Sequence, residues 1–423
     1  MKILPAGSVA GAVAVPGDKS VSHRAVMLGA IGAGETVVEN FGRSADTEAT
    51  VGAMRALGVE VIDEGDDGVR VRGRGLQGLR QPDRPVNCMN AGTLMRLLAG
   101  ILAGQDGRFE LVGDESLSRR PMDRIAEPLQ RMGAKVDPGP PLVIEGGSLH
   151  GIEYELPVAS GQVKSAVLLA GLYATGTTTV LEPVRTRDHT ELMLQAAGAN
   201  VRRGARSVSI DPPEELRLGT IQVPGDFSSA APFIVAATLL QGSELFVQGV
   251  GLNPTRTGFL DVLERMGARV TIFNKRRSGG ELIGDLEVRS AQLVATTVSA
   301  QEVPSMVDEL PLFALAAACA RGDSLVRGAA ELRVKETDRI DAVAHGLKRL
   351  GAHIEALDDG LKIRGVPTRF RGGSMESRGD HRIAMLGAVA GVVSRDGVEV
   401  QGAEAVTVSF PGFFDLLESV AQR

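Results

Sequence analysis

The sequence predicts an α/β (α+β) protein of two similar domains, each made of three βαβαββ repeats around buried parallel helices. Three observations predict it. A helix-to-strand junction recurs five times, an Ala-rich apolar helix recurs six times, and a Pro-Gly-Asp tripeptide occurs twice. The length of 423 residues, 43% hydrophobic and 23% charged, is ample for two domains with cores of their own.

The junctions are RALGVEV ending at Val61, QRMGAKV at Val136, QAAGANV at Val201, ERMGARV at Val270 and KRLGAHI at Ile354. In each, a helical pattern stops at glycine and a β-branched residue opens a strand. Glycine tolerates the left-handed backbone that closes a helix. The apolar helices start in GDKSVSHRAVMLGA, NAGTLMRLLAGILA, SGQVKSAVLLAGLYA, GDFSSAAPFIVAATLL, VDELPLFALAAACA and GDHRIAMLGAVAGVV. They are apolar nearly all round, so they belong in the middle of a domain. Strands such as ETVVENF, TTTVLEP and SELFVQG follow, then a second, amphipathic helix. The sixth copy ends in FFDLLESV.

The tripeptide at Pro16–Asp18 recurs at Pro224–Asp226, where the duplicated half begins. The predicted domains are therefore 15–221, and 1–14 together with 222–423. The buried helices start with Gly, Ser, Thr, Asn or Asp. Their unpaired N–H groups and dipoles attract anions. If each trio runs parallel, the helix starts converge into an anion trap between the domains.

Net charge of −6, no Trp and two Tyr argue against a nucleic-acid surface. Cys88 and Cys319 stand alone without a ligand spacing, which suits a reducing cytoplasm and supports neither disulfides nor zinc. The N-terminus is broken by Pro5, Gly7 and Gly11 and reads as a first strand near Val13 and Val15 rather than a secretory signal. No apolar run approaches the ~20 residues that span a bilayer.

Several motifs carry candidate chemistry. In GDKSVSHR, Ser20 and Arg24 share a helix face beside Lys19, suited either to gripping a carboxylate or phosphate or to a solvated, capped helix. In NAGTLMR, Gly92 removes bulk and Thr93 can cap the helix. LSRRPMDR brings Arg119, Arg120 and Arg124. SGQVK offers Ser160, Gln162 and Lys164, a hydroxyl, an amide and an ammonium that could each donate to phosphate. RDHTE supplies Arg187, with Asp188 and His189 read as structural. NPTR around Arg256 and the segment around Asp46 read as architecture or domain contacts. In ELRVKETDR, Lys335, Glu336 and Arg339 open a second-type helix. Burial beside an anion would let Glu336 act as a general acid, whereas the plainer reading is a surface ion-pair set. Asp308 and Glu309 precede a buried helix, where an acid meets the helix N-terminus or accepts a proton from a hydroxyl. GDHR adds Arg382, with His381 read as structural.

Taken in order, PGDKSVSHR, NAGT, RRP, SGQVK, RDHTE, NPTR, VDE, RVKETDR and GDHR resemble the enolpyruvyl transferase family over nearly the whole chain. Within it they resemble the shikimate-pathway branch and its second bacterial subgroup. RVKETDR and PGDKSxSHR are the most specific. The resemblance implies an inside-out α/β barrel in each domain, an active site in the interdomain cleft, and domain closure on the substrates. It implies transfer of the enolpyruvyl group of phosphoenolpyruvate to the 5-hydroxyl of shikimate 3-phosphate, by a cytoplasmic monomer without cofactor, metal, nucleic acid or membrane.

The same resemblance assigns roles. Lys19 serves both substrates, and Ser20 and Arg24 hold the shikimate part. Ser160, Gln162 and Arg187 line its phosphate site. Arg120, near the backbone of Gly92, holds the phosphate of phosphoenolpyruvate, and Arg339 and Arg382 grip its carboxylate. Asp308 takes the hydroxyl proton, Glu336 protonates the methylene carbon, and Lys335 assists on the shikimate side. Two positions depart from the pattern: Val408 stands where many relatives carry Lys, and Leu97 replaces a Pro of plant-like members. Two other readings compete. A sister enzyme acting on a UDP-amino sugar places a reactive Cys before its Arg-Pro, where this chain has Glu115, and it lacks KETDR. A repeat-built anion-binding scaffold would bind phosphate without turnover.

Overall fold

Five glycines punctuate the chain where the junctions place them. In the computed structural model, which describes residues 1–423, Gly58, Gly133, Gly198, Gly267 and Gly351 have φ between 85° and 112°. A side chain at such φ is strained, so each helix stops there and a strand follows.

The chain divides into two compact units. One is Gly17–Pro224 with Arg277–Glu281, and the other is Met1–Pro16 with Gly225–Arg276 and Leu282–Arg423. The inclusion of Arg277–Glu281 in the first is not visible in the repeat pattern. Each unit has its own hydrophobic core.

In the first unit three sheets share one topology. Val86–Asn87 runs parallel to Arg108–Val112, which pairs antiparallel with Leu142–Glu145, itself antiparallel to Lys135–Asp137. Glu153–Glu155, Thr178–Leu181, Ser207–Ile210 and Val201–Arg203 repeat the order. The third sheet has Glu35–Glu39, Gly68–Arg72 and Glu60–Glu64, and its leading strand is Thr220–Gln222 from the far end of the unit. The strand that precedes the first helix in sequence, Ser8–Ala14, lies instead in the other unit, parallel to Glu244–Gly251. Two parallel strands bridged by a helix form the βαβ core where the leading strand comes from the same repeat, as in Val86–Asn87 with Arg108–Val112; Thr220–Gln222 and Ser8–Ala14 supply the parallel strand from elsewhere in the chain.

The second unit repeats the order in Thr297–Val298, Gly322–Val326, Gly360–Gly365 and His353–Leu357. Its last repeat ends in the helix Phe413–Val420, and Lys2–Ile3 pairs antiparallel with Val398–Gln401 where a hairpin strand would lie.

The six apolar helices are the interior layer. Every residue of Leu310–Ala318 and of His381–Val393 is buried. In the first unit, Gly92–Leu102 packs on Gly161–Gly171. A Cβ on Gly100 would lie 2.2 Å from the Ala166 carbonyl oxygen, so glycine permits that approach. The second-type helices lie outside with one face inward. In Asp123–Met132 the buried residues are Ile125, Ala126, Pro128, Leu129 and Met132, a spacing of one helical stripe. No helix is long and apolar enough to cross a membrane.

Candidate functional site

In the first unit the candidate residues gather at three helix starts. Asp18 caps the helix Lys19–Ile31 by accepting from the Val21 amide at 2.9 Å. That turn presents Lys19, whose Nζ lies 2.9 Å from Asp46, and Ser20. Arg24 turns inward. Its Nε donates to Thr190 Oγ1 at 2.7 Å, and its terminal nitrogens donate to the Ser20 carbonyl at 2.8 Å and Ser165 Oγ at 3.1 Å. Burial pushes its pKa down to about 10, with the charge of Glu191 opposing, so it stays cationic at neutral pH.

Ser160 caps the helix Gly161–Gly171 through the Val163 amide at 3.4 Å. Gln162 donates to Thr93 Oγ1 at 3.0 Å and accepts from Arg96 at 2.5 Å. Thr93 does not cap its own helix, contrary to the sequence expectation. The cap position is Ala91, which supplies no side-chain bond, and the Thr93 hydroxyl serves Gln162 instead. Arg96 is a site residue that the motifs do not single out. Its spacing of three from Thr93 and four from Gly92 is the available signal, since these positions share a face. Arg120 donates to Asn90 Oδ1 at 2.6 Å, and a Cβ on Gly92 would stand 3.0 Å from its guanidinium. Glycine there lets Arg120 lie against the helix start. Arg119 pairs instead with Glu115 on the surface.

Each residue of RDHTE has a partner. Arg187 lies beside Gly161, where an added Cβ would sit 3.5 Å from the Arg187 Cβ. Asp188 pairs with Arg203, His189 Nδ1 lies 2.7 Å from Glu281, Thr190 accepts from Arg24, and Glu191 lies 2.7 Å from Lys164. Lys164 corrects the expectation of a phosphate donor. Its ammonium points into the unit, where it is buried between Glu191 and Glu182.

The second unit is built around Arg339, a fully buried guanidinium among three carboxylates. Its Nε donates to Asp380 Oδ2 at 2.8 Å and one terminal nitrogen to Asp308 Oδ1 at 3.0 Å. The other donates to Glu336 Oε2 at 2.6 Å and Asp380 Oδ1 at 3.3 Å. Burial alone would lower its pKa, but the charges of Asp380, Glu336 and Asp308 outweigh that and raise it, so it is a permanent cation. Lys335 and Glu336 lie just before the helix Arg339–Arg349, not within it, and Asp338 is its cap. Asp380 is the residue of GDHR that the sequence reading passes over in favour of His381 and Arg382. It caps the helix His381–Val393 by accepting from the Arg382 amide at 2.8 Å, and both His381 and Arg382 are buried.

Glu309 does not meet the helix start behind it, as its position in the sequence suggests. It makes no cap bond. Its carboxylate accepts from Arg256 at 3.0 and 2.9 Å and from the Ser228 hydroxyl, a second buried cation-carboxylate cluster. NPTR is thereby architectural through Arg256.

The two units differ in charge at their helix starts. Asp226, Glu309 with Asp308, and Asp380 stand at the three starts of the second unit. In the first, the helices Gly92–Leu102 and Gly161–Gly171 start with no acid in the first turn. Helix starts without an acid, beside Arg120, Gln162 and Arg187, suit phosphate. Arg339 gathers Asp308, Glu336 and Asp380 at one point, so acidic groups in the second unit stand in fixed register. No cluster of three or more His, Cys, Asp or Glu side chains is placed to hold a metal ion.

The family model of EPSP synthase (3-phosphoshikimate 1-carboxyvinyltransferase) matches residues 3–417. A 3-phosphoshikimate 1-carboxyvinyltransferase of Alkalilimnicola ehrlichii is 50% identical over 98% of this chain and 94% of its own. One of Desulforudis audaxviator is 50% identical over 99% of each. The solved EPSP synthase of Acinetobacter baumannii superposes with a TM-score of 0.89 at 44% identity, covering 99% of this chain and 98% of that one. The enolpyruvyl transferase NikO of Streptomyces tendae shares the fold at a TM-score of 0.80 and 19% identity, covering 99% and 96% of the two chains.

Proposed function

The chain belongs to the EPSP synthase (3-phosphoshikimate 1-carboxyvinyltransferase) family, and from that premise we propose how its side chains carry the reaction. The enzyme transfers the enolpyruvyl group of phosphoenolpyruvate to the 5-hydroxyl of shikimate 3-phosphate and releases phosphate, a step of the shikimate pathway. The observation that carries our assignment of roles is Arg339 binding Asp308 and Glu336 at once.

Glu336 protonates the methylene carbon of phosphoenolpyruvate. The adjacent carbon becomes oxocarbenium-like, and the 5-hydroxyl adds to it as Asp308 takes its proton. The product is a tetrahedral ketal. Loss of phosphate and return of the methyl proton regenerate the enol ether, now on the shikimate ring. One acid and one base suffice for both halves. Arg339 keeps the two groups in fixed register. Four of its five N–H groups are donated to protein carboxylates, and the fifth is left for the substrate carboxylate.

The phosphates fall to the first unit. Arg120 beside Gly92 takes that of phosphoenolpyruvate, and Ser160, Gln162 and Arg187 take that of shikimate 3-phosphate. Lys19 contacts both substrates, Ser20 and Arg24 the shikimate part, Arg382 the carboxylate of phosphoenolpyruvate, and Lys335 the shikimate side. The same reading has a cytoplasmic, monomeric enzyme, which the two unpaired cysteines suit. Phosphate release tests it. The protein should liberate phosphate from phosphoenolpyruvate with shikimate 3-phosphate, and not with UDP-N-acetylglucosamine. Release with the nucleotide sugar instead, or with neither acceptor, overturns it.

A further inference from the structure

Lys164, Glu182 and Glu191 take no part in the chemistry above, yet their side chains are only 0–4% exposed. Withdrawing ions from water costs several kcal/mol each, and apolar residues of similar size commonly give equal stability. Packing alone is therefore a poor reason for the cluster, and its connections supply a better one.

Lys164 leaves the same helix whose start carries Ser160 and Gln162. Its Nζ lies 3.0 Å from Glu182 Oε1 and 2.7 Å from Glu191 Oε1, and it donates to the Thr186 carbonyl at 3.3 Å. The same Glu182 oxygen accepts from the Thr186 amide at 3.0 Å and from the Thr186 hydroxyl. Thr186 is thus held at its N–H, its side chain and its C=O, and the residue after it is Arg187. The peptide linking Thr186 to Arg187 cannot shift without breaking the bond to Lys164. Glu191, from the helix His189–Ala196, meets the same ammonium of Lys164.

We infer that Lys164 is a positioning residue for phosphomonoester recognition. Through Glu182 and Thr186 it sets where the Arg187 guanidinium leaves the loop relative to Ser160 and Gln162. The inference rests on the reading above that these three groups hold the phosphate of shikimate 3-phosphate. An arginine displaced by about 1 Å loses much of its phosphate contact, and displacements of that size cost on the order of 100-fold where geometry matters.

The test is the variant Lys164→Met with Glu182→Gln. It removes one cation and one anion, so the cluster's net charge is unchanged while Thr186 loses its donor. Titration calorimetry should show shikimate 3-phosphate binding at least ~10-fold weaker. Shikimate and phosphoenolpyruvate should change by less than about twofold, and kcat by less than about threefold. Glu182→Gln alone, which keeps the side-chain shape, should weaken shikimate 3-phosphate selectively as well. Unchanged affinity for shikimate 3-phosphate in a variant that melts like the wild type overturns the inference. Equal weakening of both phosphorylated substrates overturns it too, because that is general loosening. Failure of the wild type to bind shikimate 3-phosphate is a separate result that removes the functional reading itself.

Discussion

With Arg339 taken away, Asp308, Glu336 and Asp380 would each lose the guanidinium that they bind in common. Breaking a buried pair by removing one partner costs about 3–5 kcal/mol, since an uncompensated charge is left behind. Arg339→Met should therefore lower stability by that amount in denaturant unfolding. Arg339→Lys should recover little of it, because one ammonium cannot reach three carboxylates lying in different directions. Full recovery by lysine would show that charge, and not the fork, is what the site requires. The acid and base of our proposal behave differently. Glu336→Gln and Asp308→Ala keep the guanidinium and should fold, but each should lower kcat at least ~100-fold. Steady-state rates close to wild type in either variant would remove that residue from its role.

His23 belongs to the scale of the element, because it ties the buried helix Lys19–Ile31 to the outer helix Ala45–Ala56 through Thr50 at 2.6 Å. Burial, then the charges of Lys19 and Arg24, hold its pKa well below the usual 6.5, so the folded protein keeps it neutral. The unfolded chain takes up a proton below about pH 6.5 that the folded chain refuses. Stability from this residue is thus intact above that pH and is lost as pH falls, by about 1.4 kcal/mol per unit until the folded pKa is reached. His23→Gln should flatten the difference in unfolding free energy between pH 6.5 and 5.5. Parallel curves for variant and wild type would show that His23 titrates normally. The elements themselves are readable in the sequence, because glycine stops and apolar helices are local signals. Site side chains are readable as far as their helix starts. What stays hidden is direction. Lys164 looks like a phosphate donor until Glu182 and Glu191, both distant in sequence, draw it inward, and Asp380 looks like a plain cap until Arg339 reaches it.

At the scale of the molecule, an enzyme with net charge −6 collects two anionic substrates. Two effects of opposite sign compete. The overall charge repels phosphorylated ligands, but charges beyond about 10 Å are largely screened at 0.1 M salt. Cations that touch a ligand act at contact distance in partly dry surroundings, where a charge pair 4 Å apart is worth about 4 kcal/mol before desolvation. The contact cations win on this comparison, so added salt should weaken binding and not strengthen it. Raising KCl from about 0.05 to 0.5 M should increase KM for both phosphorylated substrates and leave kcat nearly unchanged. Calorimetry over the same range should give a steeper salt dependence for shikimate 3-phosphate than for shikimate, since only the former carries a phosphate. A KM that falls with salt would mean that repulsion from the acidic surface governs capture. The starts of the helices Gly92–Leu102 and Gly161–Gly171, which carry no acid, would then not be the anion receptor that we propose.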